Sequence, residues 1–483
     1  MDLRAVALPI GRLMILIALF MLIPAGADLM SDNPDWIVFS ASALVVGCIG
    51  GVATAAFLSA KVRFNTRETL IFVNAAWITF GLAGALPLWL SGLNITFVDA
   101  FFEATSGLTT TGATVLSGLD TMPPGILLWR SLLQWIGGIG IVVLGVWLLP
   151  GLRVGGSQLF SIESSETSSK PYGRFEPFMI RLLSLYGMLT VTSTLLYYLA
   201  GMTFFQAVNH SMTTVSTGGF STSDSSMGQF DSLTIYWISS VFMILSGLPF
   251  LFLIKLVEGR DLHDLRDLRQ VVFFLGLVGG FSIGAFVALH LHDTSTPFRQ
   301  LTLSVFHVVS IITTTGYAAG DYLKWGNLAI ALFFLLTFLG GCSGSTSGGF
   351  KAFRVLLLLN FIRSLLKGML RPHRVVEARY DGRPVSPTIV EGVLIFGLLY
   401  AGTFAIFALV YAGFGLDLET SLSASITALA NVGPGVGEII GPSGTFQSLP
   451  EAVKVLLSVQ MILGRLEILS GIILLTPDFW TER

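Results

Sequence analysis

The sequence predicts an all-α polytopic membrane protein: four helix–half-helix–loop–helix repeats about one axis, preceded by an N-terminal two-helix hairpin. Three observations predict it. The first is composition. Of 483 residues, 53% are hydrophobic and 12% charged, with mean hydropathy +0.78, whereas a soluble domain carries about a quarter charged residues. The second is a hydroxyl- and glycine-rich stretch that returns: Thr109-Thr110-Thr111-Gly112-Ala113-Thr114, Thr213-Thr214-Val215-Ser216-Thr217-Gly218-Gly219, Thr313-Thr314-Thr315-Gly316-Tyr317, and the divergent Asn431-Val432-Gly433-Pro434-Gly435. Its central glycines, Gly112, Gly218, Gly316 and Gly433, recur about every 107 residues, too far apart for a solenoid unit and right for a repeated small module. The third is the frame. Each copy follows a long apolar run and a short one of roughly ten to fifteen residues, too brief to cross about 30 Å of hydrocarbon as a helix. A second long run follows.

The elements in order begin with a hairpin, 8–30 and 36–60, within an N-terminal unit of residues 1–64. No small-residue cleavage pattern separates its two runs, so the first reads as a retained helix. Repeat one (65–155) holds 69–91, half-helix 97–109, loop 110–116 and 124–150. Repeat two (156–262) holds 178–200, 203–215, 216–222 and 232–256. Repeat three (263–375) holds 269–291, 298–313, 314–320 and 325–362. Repeat four (376–483) holds 387–412, 417–430, 431–437 and 451–475. That is ten crossings and four re-entrant segments.

The third repeat's last run is too long for one span. Gly340-Gly341-Cys342-Ser343-Gly344-Ser345-Thr346-Ser347-Gly348-Gly349 interrupts it, and glycine and serine at this density do not hold a helix. Non-helical backbone at membrane depth belongs in packed protein or beside water. A kink between packed helices and a polar loop in an aqueous pore both satisfy that, and the second is preferred. The stretch lacks the Gly-Lys-Ser/Thr of a phosphate-binding loop.

Lysine and arginine set the orientation. Arg4, Arg12, Lys61, Arg63, Arg67, Arg153, Lys170, Arg174, Arg181, Lys255, Arg260, Arg266, Arg269 and the run from Lys351 to Arg383 fall on one side; Arg299 and Lys324 fall on the other. The basic side is expected to be cytoplasmic, with both termini inside and all four loops entering from outside. The net charge of −2 gives no global field for a nucleic-acid partner. Cys48 and Cys342 lack metal-ligand spacing and read as small buried side chains.

A dehydrated cation in a membrane needs oxygens to replace its water. Glycine lets a loop turn backbone carbonyls inward, and the negative ends of the half-helices point at the loops. No carboxylate stands in the loops, which suits a weakly hydrated monovalent ion better than calcium or magnesium. Thr110, Thr111, Gly112, Ser216, Thr217, Gly218, Thr314, Thr315, Gly316, Asn431, Val432 and Gly433 are the expected ligand-bearing positions.

These four segments resemble the filter segments of the Trk/Ktr/HKT superfamily of potassium transporters, and Asn431-Val432-Gly433-Pro434-Gly435 also resembles the Thr-Val-Gly-Tyr-Gly filter of potassium channels. Residues 340–351 and Gly464-Arg465-Leu466-Glu467-Ile468 resemble the TrkH branch, as does the extra hairpin. The resemblance covers essentially the whole chain. It implies K⁺ as the transported ion, a bacterial inner (cell) membrane, a homodimer with one pore per subunit, and a cytosolic TrkA-like nucleotide-binding regulatory subunit. In the TrkH pattern Arg465 faces the pore below the filter and contacts the intramembrane loop. The expected gate is Arg465 with Gly344, Ser345, Thr346, Ser347 and Gly348.

Arg465 reads as mid-span, where a bare charge costs at least about 2.5–3.5 kcal/mol and should face the bundle interior or water. A pair with Glu467 is the alternative, disfavoured because residues two apart on a helix face different ways. Glu103, Asn209, His210 and His307 sit on half-helices, where they brace the filter or pack against neighbours. Arg130 and Lys454 near span ends are expected to snorkel, and Asp99 and Asp417 to cap half-helices. The fold class is thus four helix–pore-loop–helix repeats around one pore plus the hairpin. Neither an organic cofactor nor a catalytic nucleophile with its base is expected. Two other readings share the sequence: a Na⁺- or H⁺-coupled K⁺ symporter, against whose proton form the spans lack a chain of carboxylates, and a non-conducting membrane scaffold subunit.

Overall fold

A computed structural model describes residues 3–59, 65–144, 175–259, 268–370, 379–380 and 383–481. Lys61, Arg63, Arg153, Lys170, Arg174, Arg260, Arg266 and most of the basic 371–383 connection lie outside them. The hairpin is α1 (Leu3–Met30) and α2 (Asp35–Ala56). Its helices touch where glycines meet: a β-carbon on Gly11 would lie 2.9 Å from the Gly50 carbonyl oxygen. Small residues at a membrane helix crossing let backbones approach this closely. The hairpin joins the body through Asp28, whose Oδ1 accepts from Gly125 N at 2.6 Å.

Four times thereafter a long helix, a short helix, a loop and a second long segment follow one another. The first set is α3 (Thr66–Leu90), α4 (Phe97–Leu108) and α5 (Pro124–Val143). The second is α6 (Phe175–Leu199), α7 (Phe204–Val215), α8 (Leu233–Gly247) and α9 (Phe250–Val257). The third is α10 (Leu268–His290), α11 (Pro297–Ile312), α12 (Asn327–Thr337) and α13 (Ala352–Leu370). The fourth is α14 (Pro387–Gly413), α15 (Leu418–Ala430), α16 (Glu451–Arg465) and α17 (Leu469–Ile472). The short helices α4, α7, α11 and α15 run 12, 12, 16 and 13 residues. At ~1.5 Å per residue none spans the hydrocarbon. Their starts are written in the sequence: Thr96 with Asp99 and Thr203 with Gln206 form capping boxes, Asp417 caps α15, and Pro297 opens α11.

Three predicted spans are not single helices. The 232–256 run bends by 104° between α8 and α9. Pro249 cannot continue α8, and it holds Leu248 extended at ψ 159°. The 451–475 run bends by 111° after Arg465, where Glu467 and Ile468 take positive φ. The third is the 325–362 run, split into α12 and α13 by the glycine–serine stretch. There residues 339–340 pair in parallel with 350–351 and close the intervening loop on itself. Among the described residues, seven helices are long and apolar enough to cross a membrane, or up to nine crossings if each bent pair is one. The tenth predicted crossing falls on α12 and α13. Large apolar side chains stand exposed along the outer faces of α2, α6, α10 and α14, among them Val52, Val191, Ile283 and Leu409, as lipid contact requires. Cys342 is buried as expected, whereas Cys48 is exposed on α2.

Candidate functional site

Each short helix ends in one hydrogen-bonded turn. Thr111 N donates to Ser106 O (2.9 Å) and Thr110 N to Gly107 O (2.9 Å). Gly218 N and Thr217 N do the same to Thr213 O (2.8 Å) and Thr214 O (3.0 Å). Thr315 N and Thr314 N bond Ser310 O (2.8 Å) and Ile311 O (2.9 Å); Val432 N and Asn431 N bond Thr427 O (3.0 Å) and Ala428 O (3.3 Å). This is the Schellman arrangement, whose left-handed residue is normally glycine. Here it is Thr110, Thr217, Thr314 and Asn431, at φ 52°, 52°, 57° and 57°. A β-branched residue held there stores roughly 1–3 kcal/mol of strain.

Two residues on, a glycine is again left-handed: Gly112, Gly219, Gly316 and Gly433, at φ 81°, 78°, 82° and 101°. The second repeat is therefore registered one residue later than its spacing suggested. Gly219 is the counterpart of Gly112, Gly218 that of Thr111, Thr217 that of Thr110 and Ser216 that of Thr109.

These loops meet in a closed ring. A β-carbon on Gly112 would strike the Gly218 carbonyl; on Gly219, that of Thr315; on Gly316, that of Val432; and on Gly433, that of Thr111, 2.6 Å away. Each left-handed glycine thus abuts the carbonyl just ahead of the next repeat's glycine, in the order one, two, three, four and back to one. The same four glycines line a cavity of about 290 Å³, with Asp224 and Arg130 also on its wall.

Side chains tie the ring together. Thr109 and Thr111 share a hydroxyl bond of 2.7 Å, and Thr313 and Thr315 one of 2.8 Å. Asn431 Nδ2 donates to Thr111 Oγ1 and to Met461 O, both at 2.9 Å. Gln134 on α5 donates to Gly218 O (2.6 Å) and accepts from Phe220 N (3.0 Å). Sequence reasoning missed Gln134, since nothing local distinguishes it from a packing residue.

Behind the ring, each short helix holds the chain leaving its loop. Glu103 accepts from Val115 N (2.9 Å) and Thr114 Oγ1 (2.9 Å), and His307 Nε2 from Ala319 N (3.1 Å). His210 Nε2 meets Ser221 Oγ at 3.1 Å, and Ser423 accepts from Val436 N. Glu103, His210 and His307 therefore brace, whereas Asn209 bonds its own helix through Phe205 O. Arg130 does not snorkel: it is buried, with Nε donating to Glu103 (2.8 Å) and a second nitrogen to Ser221 O (3.0 Å). Lys454 is likewise buried, on Asp99 (2.6 Å) and Gln447 O (2.8 Å), so Asp99 serves Thr96's capping box and an ion pair together. Asp417 caps as expected; the Thr420 N–H at 2.8 Å holds its carboxyl below the usual range.

Beneath the ring lies the 340–349 loop. Gly348 N donates to Thr314 Oγ1 (2.7 Å), Thr217 Oγ1 bonds Thr346 Oγ1 (3.1 Å), and a β-carbon on Gly348 would strike the Ala430 carbonyl. The loop thus touches the ends of α7, α11 and α15 together. On the α8–α9 side, Cys342 N bonds Gly247 O, Phe250 N bonds Gly344 O and Thr346 Oγ1 bonds Ser246 O. Ser345 Oγ turns back to Cys342 O at 2.7 Å. Lys351 Nζ donates to Ser347 O.

Arg465 is the last residue of α16, not mid-helix. Gly464 before it presses on the α15 end, with its β-carbon position 3.2 Å from Asn431 Oδ1. Arg465 is buried, and none of its three nitrogens has a hydrogen-bond partner among the described residues. Glu467, turned away by the bend, pairs with Arg354 instead. Lys351 lies within coulombic range of Glu467, Arg465 and Arg354. Lys351 reaches the loop by a hydrogen bond to Ser347 O, a contact not foreseen from the sequence.

The TrkH family profile, described as a cation transport protein, matches residues 37–289 and 290–480. The chain is 40% identical to the Trk system potassium uptake protein TrkI of Halomonas elongata, over 97% of this chain and 95% of that one. It is 35% identical to the Trk system potassium uptake protein TrkH of Escherichia coli K12 over the full length of both. The crystal structure of the potassium transporter TrkH from Vibrio parahaemolyticus superposes with a TM-score of 0.91 at 33% identity, covering 100% of each chain. With four quasi-equivalent loops closed into one ring, and matches that run from end to end, this chain belongs to the TrkH family of cation transport proteins.

Proposed function

We propose that the chain carries potassium through the ring of loops. The observation that carries this reading is the ring itself: four left-handed glycines, each against the next repeat's carbonyl, concentrate main-chain oxygens at one level. Thr110, Thr111, Gly112, Thr217, Gly218, Gly219, Thr314, Thr315, Gly316, Asn431, Val432 and Gly433 form the filter, with Ser216 as the cap beneath the second strand. Oxygen from main chain and hydroxyl, without carboxylate, favours a weakly hydrated monovalent ion. The names of the relatives, potassium uptake proteins, agree with it.

Arg465 and the loop residues Gly344, Ser345, Thr346, Ser347 and Gly348 form the gate. The buried Arg465 guanidinium, without a hydrogen-bond partner among the described residues, and Lys351 place positive charge below the filter, where it opposes a descending cation. Loop movement breaks only a few hydroxyl and amide contacts. The protein sits in a bacterial inner membrane with both termini cytoplasmic, and the units are 1–64, 65–155, 156–262, 263–375 and 376–483. It works as a homodimer with a cytosolic TrkA-like nucleotide-binding regulatory subunit against its inner face; the relatives' naming as parts of a system supports a further component. It is a transport protein and not an enzyme.

The test is radioactive rubidium uptake into liposomes holding the purified protein, competed by K⁺ and by Na⁺. Uptake suppressed by K⁺ well before Na⁺ is expected, and Gly316→Ser should abolish uptake or relax its preference. Uptake that ignores K⁺, or survives replacement of the ring glycines unchanged, would overturn the reading.

A further inference from the structure

The second filter strand differs from the other three in a way that its own residues do not remedy. The residue ahead of the left-handed glycine is Thr111, Thr315 or Val432 in repeats one, three and four, and Gly218 in repeat two. Two successive glycines make this the loosest backbone of the ring, because glycine loses the most freedom when fixed. Gln134 stands beside it. Its side-chain amide donates to Gly218 O (2.6 Å) and accepts from Phe220 N (3.0 Å), gripping the strand on both sides of Gly219. Gln134 is fully buried, so no water competes for these bonds.

The fit is mutual. A β-carbon on Gly218 would fall inside the Gln134 side chain, 2.8 Å from Nε2. Gly218, unlike Gly219, is not left-handed, so it is this side chain and not its backbone that demands glycine. The corresponding places on α8 and α16 carry methionine, which has no amide to donate. Gln134 lies four residues before Gly138, which packs on the α7 end; Met243 lies four before Gly247, which packs on the α11 end. It also lies three before Gly137, which presses on the α4 end, as Met461 lies three before Gly464 on α15.

We infer that Gln134 is the residue that sets ion discrimination in the second quadrant: its amide splints the glycine pair and fixes where the Gly218 carbonyl stands in the ring. It is a positioning residue, acting through Gly218. This rests on the potassium reading above. Without the splint, the strand retains its fold and still passes ions, but its carbonyl follows the size of whichever ion enters, and the ring stops rejecting the smaller one.

The experiment compares K⁺ and Na⁺ competition against rubidium uptake in liposomes for wild type, Gln134→Met, Gly218→Ala and the double variant Gln134→Ala/Gly218→Ala. Methionine is close in volume and matches repeats two and four, so Gln134→Met is expected to fold and transport. Its K⁺ over Na⁺ preference should fall about fivefold to thirtyfold, as expected for one or two net hydrogen bonds lost. Gly218→Ala should lose uptake through its clash with Gln134, and Gln134→Ala in the same chain should restore uptake with relaxed preference. An unchanged preference in Gln134→Met overturns the inference. So does a double variant no better than Gly218→Ala, which covers the case in which the methionine variant fails to fold. Failure of wild type itself to favour K⁺ would instead sink the potassium reading, so the two failures are told apart.

Discussion

At the scale of single residues, strain and missing partners mark the site. Gly219 has φ 78° and a β-carbon position on the Thr315 carbonyl, so Gly219→Ala meets both a backbone and a steric penalty. We expect rubidium uptake to fall at least about tenfold, a barrier of ~1.4 kcal/mol or more. Uptake at the wild-type level would refute the revised register. Arg465 makes the opposite case. With no hydrogen bond to lose among the described residues, Arg465→Ala removes a buried charge and, on the proposed gate role, should raise rubidium flux while leaving the melting temperature in detergent level or higher. Unchanged flux would remove its gate role. Gly218 and Gly219 show why the ring was legible only to within one residue: either glycine satisfies the spacing, and only the turn hydrogen bonds decide which is left-handed.

At the scale of elements, the sequence announced helix starts and stops better than it announced partners. Short apolar runs with capping residues placed α4, α7, α11 and α15 within a residue or so, because caps and length are local properties. Arg130 and Lys454 were misjudged because their carboxylates, Glu103 and Asp99, arrive from another helix of the fold. The bends at Leu248-Pro249 and at Glu467 were hidden within unbroken hydropathy. The Glu103–Arg130 pair carries a firm expectation. Glu103→Ala strands a buried guanidinium and frees Val115 N, so thermal unfolding in detergent should show a loss of about 3–5 kcal/mol. The cap at Asp417 adds a milder one. Its carboxyl is depressed in the fold, so the stability it contributes is present above the unfolded value of about 3.9 and lost as pH falls through the lower folded value. Asp417→Asn keeps a capping oxygen and should flatten that acid dependence in pH-resolved melts.

At the scale of the whole molecule, the hairpin, the four sets and the loop beneath them form one object, and the fourfold pattern was legible because it recurs in the sequence. Its departures from fourfold symmetry were not: the glycine pair bonded by Gln134, the loop beneath the ends of α7, α11 and α15, and the buried arginine at the end of α16 each depend on a neighbour far along the chain. A coupled mechanism on this fold would show as rubidium accumulation that follows an imposed Na⁺ or H⁺ gradient at zero voltage. Simple permeation predicts none.

The circuit of glycines and carbonyls is completed by a single polypeptide. Every copy therefore carries a complete ring, whatever assembly it joins. Liposomes reconstituted from mixtures of wild-type and Gly316→Ser protein should lose K⁺-selective uptake in proportion to the variant's share, along a straight line. A pathway shared between chains would instead fall away as a steep power of that share, because one spoiled member would silence its companions.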